Sequence, residues 1–261
     1  MAKTVLITGA SSGIGYSFTE ICAKNNYNLI LVARREKELL ALQKKCEQSG
    51  VQVKIIVKDL AKPHATQQLY NQLKEEKIQV DILINNAGFG EYGSFYKTSW
   101  EKEAAMIELN VVALTHLAKL FGQDMVQRGN GTIINVASVA AFLPGPLMSV
   151  YYATKAYVLS LTEALQHDVS GSNVQIIALC PGMTKTGFQD AAGFAEKTEN
   201  EERMQSAQEV AQYCFDALQT GKSGIVIPSL KNKIIARLGW LLPRSLVAKI
   251  ILYVQNGRDK N

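Results

Sequence analysis

Seven short apolar runs alternate along the chain with longer stretches of helical periodicity, and this alternation restricts the fold more than any other feature. Within each run apolar residues occupy successive positions, which is typical of strands buried on both faces of a sheet. Strands separated by helical crossovers form a parallel sheet. We therefore predict a single-domain α/β fold, a doubly wound parallel sheet. The predicted strands are 4–8, 28–33, 53–57, 81–84, 132–136, 174–179 and 224–227, and the predicted helices lie near 14–25, 36–49, 64–77, 99–127, 150–170 and 206–219.

A glycine-rich turn directly follows the first predicted strand. Residues 8–15 read TGASSGIG, in which Gly9, Gly13 and Gly15 have the spacing G-x-x-x-G-x-G. Glycines let the backbone approach a pyrophosphate closely, and free N–H groups at a helix start favour an anion. A tight strand-to-helix turn without any ligand is the alternative. The location in the first strand-helix unit favours a dinucleotide site of the Rossmann type.

The end of the second predicted strand selects the cofactor in this architecture. An acid at this point binds the ribose hydroxyls, whereas a cation binds the 2′-phosphate. The sequence here is Ala33-Arg34-Arg35, and a guanidinium suits bidentate contact with phosphate. NADP(H) is therefore predicted to be preferred over NAD(H). The alternative is that the two arginines only begin an exposed helix that continues with Glu36 and Glu38.

Tyr151 and Lys155 lie four residues apart on a predicted helix, so their side chains share one face. A phenol, with an ordinary pKa of about 10, is a poor acid or base partner at neutral pH unless a cation stabilises its phenolate. Lys155 supplies that charge, and Ser138 follows the fifth predicted strand. Tyr152 is the competing tyrosine, but on a helix it points about 100° away from Tyr151. A Tyr/Lys pair alone is common on solvated helix faces, so the evidence for a catalytic pair must come from the other motifs.

The ordered set of motifs resembles the short-chain dehydrogenase/reductase family from Lys3 to about Ile227. Each motif alone is weak evidence for the family, but seven motifs in the right order on the right elements are highly specific. They are TGxxxGxG at 8–15, Asp59-Leu60 after the third strand, Asn85-Asn86-Ala87-Gly88 after the fourth, Asn110 in a helix, Ser138, Tyr151-xxx-Lys155, and Pro181-Gly182-Met183-Thr184 after the sixth strand.

This resemblance implies a role for each motif. Tyr151 exchanges the proton of the carbonyl or alcohol oxygen, Lys155 lowers the pKa of Tyr151 and holds the nicotinamide ribose, and Ser138 hydrogen-bonds the reacting oxygen. Asn110 holds a water that connects Lys155 to solvent. The remaining cofactor contacts implied are Ser11, Ser12 and Ile14 around the phosphates, Asp59 and Leu60 near the adenine, Asn86 near its ribose, and Thr184 by the carboxamide.

Apolar side chains dominate the loops after the fourth, fifth and sixth strands, where this fold binds its substrate. They favour a hydrophobic carbonyl or alcohol compound over a sugar or a charged acid, although covering the core is the alternative role for some of them. The lining predicted is Phe89, Tyr92, Phe95, Phe142, Leu143, Pro144, Met148, Phe188 and Phe194. Segment 185–203 is predicted to be a mobile lid.

The function predicted is an NADPH-dependent oxidoreductase that reduces a carbonyl, or oxidises the secondary alcohol, of an apolar small molecule. An NADP(H)-binding sensor or scaffold without significant turnover is the alternative from another class. The complete set of Ser138, Tyr151 and Lys155 disfavours it. The resemblance also implies a homodimer or homotetramer built on the helices near 99–127 and 150–170.

The formal net charge of +5 belongs to the C-terminal part of the chain. Residues 229–261 carry seven Lys or Arg and one acid, a local charge of +6, so the other 228 residues sum to −1. A nearly neutral body gives no reason to predict nucleic acid as a partner. We predict an oxidoreductase domain over 1–228 and a basic amphipathic helical extension over 229–261 that packs on it.

This extension has two apolar helical stripes separated by Pro243. One contains Ile234, Ile235, Leu238, Leu241 and Leu242, and the other contains Leu246, Val247, Ile250, Ile251 and Val254. Packing over the pocket or between subunits is the favoured interpretation, and contact of 230–254 with an anionic membrane is the alternative. Such a tail is loosely similar to those of hydroxysteroid and 3-ketoacyl reductases.

The cysteines and the apolar segments exclude several other classes. Cys22, Cys46, Cys180 and Cys214 form no CxxC pair and no zinc spacing, so reduced thiols, a cytoplasmic location and no metal site are predicted. The first apolar run is too short for a signal peptide. The long uncharged stretch over 131–154 is interrupted by polar residues and prolines, and no membrane-spanning helix is predicted in the chain.

Overall fold

One parallel sheet forms the centre of the molecule. The computed structural model describes residues 2–194, 204–221 and 223–256. Its strands are β1 (Thr4–Thr8), β2 (Asn28–Ala33), β3 (Val53–Val57), β4 (Ile82–Asn85), β5 (Asn130–Val136), β6 (Asn173–Leu179), β7 (Thr184–Lys185), β8 (Gln205–Ser206) and β9 (Gly224–Val226). Seven of them pair in the order β3-β2-β1-β4-β5-β6-β9, and β7 pairs with β8 apart from the main sheet. All pairings are parallel, which confirms the predicted doubly wound sheet.

Helices cover both faces of this sheet. They are α1 (Gly13–Lys24), α2 (Glu36–Glu47), α3 (Ala65–Glu75), α4 (Trp100–Ile107), α5 (Leu114–Arg128), α6 (Ser149–Asp168), α7 (Phe188–Ala192), α8 (Ala207–Gln219), α9 (Leu230–Leu241) and α10 (Arg244–Asn256). In β1, Val5 and Ile7 point into a core shared with α1, α2 and α8, whereas Leu6 points into a core shared with α3 and α5. A helix layer on each side thus explains why apolar residues occupy successive positions in the strands.

The helix predicted near 99–127 contains a local change of geometry. A π-helical segment, Glu108–Ala113, separates α4 from α5. The combined helix Trp100–Arg128 is long and apolar enough to cross a membrane by length and composition alone. However, Leu117, Phe121 and Met125 are buried in the core between this helix and the sheet, as expected for the core helix of a globular domain.

The four cysteines are buried free thiols. Burial is the largest cause that raises the pKa of each of them. A high pKa keeps a thiol protonated and unreactive at neutral pH.

The C-terminal helices pack on the rest of the molecule through one side only. Ala236 and Val247 are buried in a core with Phe142 and Leu143, and a Cβ at Gly239 would lie 2.8 Å from the carbonyl oxygen of Phe142. In each of the two predicted stripes, some side chains pack into this core and the others are exposed to solvent. Ile235, Leu242, Val247 and Ile251 pack inward, whereas Ile234, Leu238, Leu241, Leu246, Ile250 and Val254 are exposed. Residues 257–261 of the predicted basic extension lie outside the described residues.

Candidate active site

The glycine-rich loop lies where the strand order reverses. β1 pairs with β2 on one side and with β4 on the other, so a crevice opens at their carboxyl ends. Gly9 (φ +66°) and Gly13 (φ +56°) have left-handed backbone conformations that favour glycine. A Cβ at Gly15 would lie 2.4 Å from the carbonyl oxygen of Gly9. The loop therefore needs glycine at all three predicted positions.

Helix α1 starts in this crevice without a side-chain cap. Ser12 occupies the N-cap position but its side chain makes no capping hydrogen bond, and the first turn contains no acidic residue. Free N–H groups and the helix dipole favour an anion at such a start. Beside Ser12, Ser11 is half-buried, and Ile14 packs against the core under α1. The loop residues thus fit a cofactor pyrophosphate.

The two arginines at the end of β2 have different surroundings. The Arg35 guanidinium donates hydrogen bonds to Oγ of Ser11 at 3.0 and 3.2 Å and forms an ion pair with Glu38 at 3.8 Å. Arg34 is exposed at the same strand end. The structure therefore brings the Arg35 side chain to the glycine loop and leaves the Arg34 side chain in solvent beside it.

Asn86 braces the loop from the neighbouring strand. Its Nδ2 donates to the carbonyl oxygens of Thr8 (2.9 Å) and Gly9 (3.2 Å). In return, Oγ1 of Thr8 accepts from the backbone N–H groups of Asn86 and Ala87, each at 3.0 Å. The Asn86 amide is thus bonded to the loop itself, because β1 and β4 are adjacent. Its implied position near the adenine ribose stays a prediction. Thr8 was not among the predicted site residues.

Asp59 and Leu60 follow β3 at the same edge of the sheet. Oδ1 of Asp59 accepts a hydrogen bond from the backbone N–H of Ala61 at 3.1 Å, and Leu60 is buried. A cavity of about 220 Å³ lies beside Leu60 and is also lined by Val112 and His116. Leu60 thus lines a cavity near this end of β3, and the implied contact of Asp59 with the adenine stays a prediction.

Ser138, Tyr151 and Lys155 meet beyond the carboxyl ends of β5 and β6. Oγ of Ser138 lies 3.4 Å from the carbonyl oxygen of Pro181, the residue that follows β6 by two positions. Tyr151 and Lys155 occupy the first two turns of α6. Nζ of Lys155 donates to the carbonyl oxygen of Val136 at 2.8 Å and lies 5.8 Å from the centre of the Tyr151 ring. The structure thus brings the three predicted catalytic side chains together.

Burial is the main cause of the pKa shifts of Tyr151 and Lys155. It raises the pKa of Tyr151 to about 12, although a hydrogen bond with the Ser138 side chain acts in the opposite direction. It lowers the pKa of Lys155 to about 8. The resemblance implies a Tyr151 pKa lowered by Lys155, and here desolvation outweighs any such lowering, because burial also disfavours the lysine charge that would cause it.

Asn110 lies in the π-helical segment between α4 and α5 and is completely buried. Its Nδ2 donates to the carbonyl oxygen of Phe89 (2.9 Å) and to Oγ1 of Thr154 (3.2 Å), and its Oδ1 accepts from the Phe89 N–H at 3.2 Å. Asn110 therefore fixes the loop after β4 against α6. Its implied role in holding a water stays a prediction. Single π turns often mark functional sites.

Apolar side chains enclose the Tyr151 phenol. The ring of Phe188, in α7, lies 5.2 Å from the Tyr151 ring centre. A Cβ at Gly90 would lie 2.8 Å from Phe188, 3.1 Å from Met148 and 3.2 Å from Tyr151, so glycine leaves room for this packing. The rings of Tyr92 and Phe194, with centres 4.8 Å apart, lie by the end of α7, because the Tyr92 N–H donates to the carbonyl oxygen of Ala192 at 2.8 Å. Phe188 and Met148, two of the predicted lining residues, are thus grouped beside Tyr151.

Other residues predicted to line the substrate site lie elsewhere. Phe142 and Leu143 are buried under α9, and Phe95 is half-exposed near α4. Thr184, implied by the resemblance as the contact of the cofactor carboxamide, is buried and donates to the carbonyl oxygen of Gly182 at 3.0 Å. Of the predicted lid over 185–203, residues 195–203 lie outside the described residues.

Comparison with known proteins identifies the family of this chain. Residues 3–197 match the family model described as short chain dehydrogenase. The chain belongs to the short-chain dehydrogenase family. It is thus an NAD(P)-dependent oxidoreductase, as the motifs predicted.

Two curated relatives of this short-chain dehydrogenase support the subgroup resemblance. The ketoacyl reductase HetN of Nostoc is 32% identical over 187 residues, which is 71% of this chain and 65% of that protein. The 7beta-hydroxysteroid dehydrogenase of Mediterraneibacter gnavus is 29% identical over 231 residues, which is 87% of this chain and 86% of that protein. The loose similarity to hydroxysteroid and ketoacyl reductases is confirmed.

Solved structures of short-chain dehydrogenases share the fold and contain nicotinamide cofactors. One from Sphingobium yanoikuyae in complex with NADPH has a TM-score of 0.82 and 35% identity, and covers 92% of this chain and 95% of its own. One from Burkholderia phymatum in complex with NAD has a TM-score of 0.80 and 29% identity, and covers 91% of this chain and 92% of its own. These structures support a nicotinamide cofactor of either type.

One residue of this short-chain dehydrogenase that the sequence did not indicate is Gln255, near the end of α10. It is 1% exposed. Its backbone carbonyl accepts from the Tyr92 hydroxyl at 3.1 Å, and its Nε2 donates to the Tyr152 hydroxyl at 3.4 Å. The C-terminal extension thus contacts Tyr92, one of the residues predicted to line the substrate site. The sole sequence indication is a polar residue four positions beyond Ile251, on the inward stripe of α10.

Proposed function

We propose that this short-chain dehydrogenase uses NADP(H) to reduce the carbonyl group of an apolar small molecule, or to oxidise the corresponding secondary alcohol. The observation that carries the proposal is the convergence of Ser138, Tyr151 and Lys155 beneath the apolar wall of Met148 and Phe188. A polar reacting group would meet the three catalytic side chains, while the rest of the substrate packs against the wall.

Each catalytic residue has a distinct part in the proposed reduction. Tyr151 donates its phenol proton to the carbonyl oxygen, and Ser138 donates a hydrogen bond to the same oxygen as negative charge develops there. The Lys155 ammonium stabilises the phenolate that remains. When bound, the nicotinamide cofactor supplies or accepts the hydride. Asn110 keeps the loop after β4 in place through its two hydrogen bonds to Phe89.

A panel of carbonyl compounds tests this proposal. Oxidation of NADPH is followed by absorbance with ketones, aldehydes and 3-ketoacyl esters of increasing apolar size, and with sugars and charged keto acids for comparison. Turnover is expected with the apolar members. NADPH binding without turnover of any compound would instead favour the sensor or scaffold function.

The preference for NADP(H) is expected to depend on the arginines at the end of β2. Replacing Arg34 or Arg35 with Glu removes a cation from the predicted 2′-phosphate position and adds a repelling charge. Because a hydrogen bond to a charged group contributes about 1.5–3 kcal/mol, the ratio of kcat/KM with NADPH to that with NADH should fall at least about tenfold. Lys37→Glu, on the exposed side of α2, makes the same charge change as a control. An unchanged ratio in both arginine variants would contradict the assignment.

Carbonyl reduction is expected to slow above pH 8. The Lys155 ammonium is lost as the pH rises through its pKa of about 8, whereas Tyr151, with its pKa of about 12, keeps its proton. The kcat/KM for reduction should therefore fall about tenfold per pH unit above that point. Lys155→Arg keeps its charge, so any activity it retains should not show this fall. A flat wild-type profile up to about pH 10 would contradict the prediction.

We further propose that the protein is cytoplasmic and forms a homodimer or homotetramer. A shallow apolar groove runs between α4 and α6, lined by Phe95, Ile107, Val111, Val150 and Ala153. Burial of this groove between subunits would remove apolar surface from water. Light scattering after size-exclusion chromatography measures the assembly directly, and a monomer at micromolar concentration would contradict it.

A further inference from the structure

The helices α9 and α10 present a large apolar surface to solvent. Of the 22 large apolar or aromatic side chains that are exposed among the described residues, ten lie between Leu230 and Val254. Exposed apolar groups concentrated in this way mark an interaction site. We name them the tail surface: Leu230, Ile234, Leu238, Trp240, Leu241, Leu246, Ile250, Leu252, Tyr253 and Val254.

The tail surface follows the helical repeat. Along α9, Leu230, Ile234, Leu238 and Leu241 are separated by four, four and three residues, and along α10, Leu246, Ile250 and Val254 are separated by four. Each helix therefore has one apolar stripe in solvent besides the stripe that packs on the core. Trp240 is 68% exposed although its ring lies 6.3 Å from that of Phe142.

Positive charge surrounds this surface without compensation. Lys231, Lys233, Arg237, Arg244 and Lys249 are all exposed, and residues 229–256 contain no Asp or Glu. Within the described part of the chain, none of the five forms an ion pair. Any partner that covers the apolar side chains must therefore also accept five cations.

This charge selects among the kinds of partner. A second copy of the same surface would bring ten cations together with no carboxylate between them, which disfavours self-association. Nucleic acid would accept the cations but leave ten apolar groups in water. The interface of an anionic lipid bilayer can bind both the apolar side chains and the cations. The acyl chains contact the apolar side chains, and the lipid phosphates pair with the cations.

We propose that α9 and α10 bind the surface of an anionic membrane through the tail surface. The inward side of α10 is bonded to Tyr92 and Tyr152 through Gln255. Tyr92 in turn donates its backbone N–H to the carbonyl oxygen of Ala192 in α7, the helix whose Phe188 contacts Tyr151. A bilayer bound at the outer side of α10 would therefore lie one helix away from these residues. An apolar compound dissolved in the membrane has a short route to the site.

Tryptophan fluorescence tests the proposal, because the chain has two tryptophans. Trp100→Phe leaves Trp240 as the reporter, and its emission should shift to shorter wavelength on addition of vesicles of equal parts phosphatidylglycerol and phosphatidylcholine. Trp240→Phe leaves Trp100, which is similarly exposed at 67%, and should show no shift. Vesicles of phosphatidylcholine alone should shift neither variant.

Co-sedimentation with the same vesicles tests the cations. Arg237→Glu with Arg244→Glu should weaken binding at least about tenfold, since each cation near an anionic surface contributes about 1 kcal/mol. Lys24→Glu with Lys44→Glu makes an equal charge change on exposed positions outside the tail and should bind as the wild type does. Equal binding to neutral and anionic vesicles, no binding to either, or self-association without vesicles that the Arg237/Arg244 variant abolishes would each overturn the proposal.

Discussion

Tyr151→Phe is expected to lower kcat about 100- to 10,000-fold, the range that a positioned general acid contributes. The phenylalanine ring keeps the contacts with Phe188 and Gly90 but has no proton to give to the carbonyl oxygen. Because the phenol is buried and forms its hydrogen bond with the Ser138 side chain, little of the structure should change. NADPH affinity, measured by fluorescence titration, should therefore stay close to the wild-type value.

Tyr152→Phe provides the matched control for this variant. The Tyr152 ring lies against Gly145 and its hydroxyl accepts from Gln255, so it is one residue away in sequence but faces another part of the molecule. We expect its kcat to fall far less than that of Tyr151→Phe. Equal losses in both variants, or retained turnover in Tyr151→Phe, would assign the proton transfer to another group.

Gly15→Ala is expected to disrupt the cofactor loop. The new Cβ would lie 2.4 Å from the carbonyl oxygen of Gly9 and 2.5 Å from Nδ2 of Asn86, and both atoms belong to the bonded network that shapes the loop. Overpacking of this kind lowers the free energy of unfolding by about 1–3 kcal/mol. The NADPH dissociation constant should rise at least about tenfold, since a shift of 1.4 kcal/mol gives that factor. Calorimetric titration and denaturant unfolding measure the two effects.

Gly187→Ala is the control for the loop variant. Gly187 has φ −72° and its Cβ position has no neighbour within 4 Å among the described residues. Alanine meets no neighbour there, and although glycine is the better N-cap residue, stability should change little. NADPH affinity should be that of the wild type. A Gly15→Ala protein with wild-type affinity would mean that the loop is not the phosphate site.

The sheet and most helices could be predicted because the pattern of apolar residues within each segment determines them. Apolar runs separated by segments of helical periodicity predict a parallel sheet. The observed bounds of its seven strands lie within two residues of the predicted ones. The grouping of Ser138, Tyr151 and Lys155 also followed from their order on neighbouring elements. Their pKa values did not, because burial of Tyr151 under Phe188 depends on the packing of α7 against α6.

Side-chain partners that depend on packing between distant segments could not be predicted. The π-helical turn at Asn110 lies within one long run of helical periodicity, and no sequence signal distinguishes it from the α-helix on either side. No sequence pattern indicates the hydrogen bonds from the Asn86 amide to the carbonyl oxygens of Thr8 and Gly9, which lie on a distant segment. The pairing of Gln255 with Tyr92 joins residues 163 positions apart, far beyond any sequence pattern.

The bond between Asn86 and the glycine loop also has a consequence for folding. It joins residues 77 and 78 positions apart, as does the pairing of β1 with β4. Contacts of such long sequence separation require a large loop to close first and make folding slow. The phosphate loop therefore acquires its shape only when β4 joins the sheet, and a nascent chain that has released β1 to β3 cannot yet bind its cofactor.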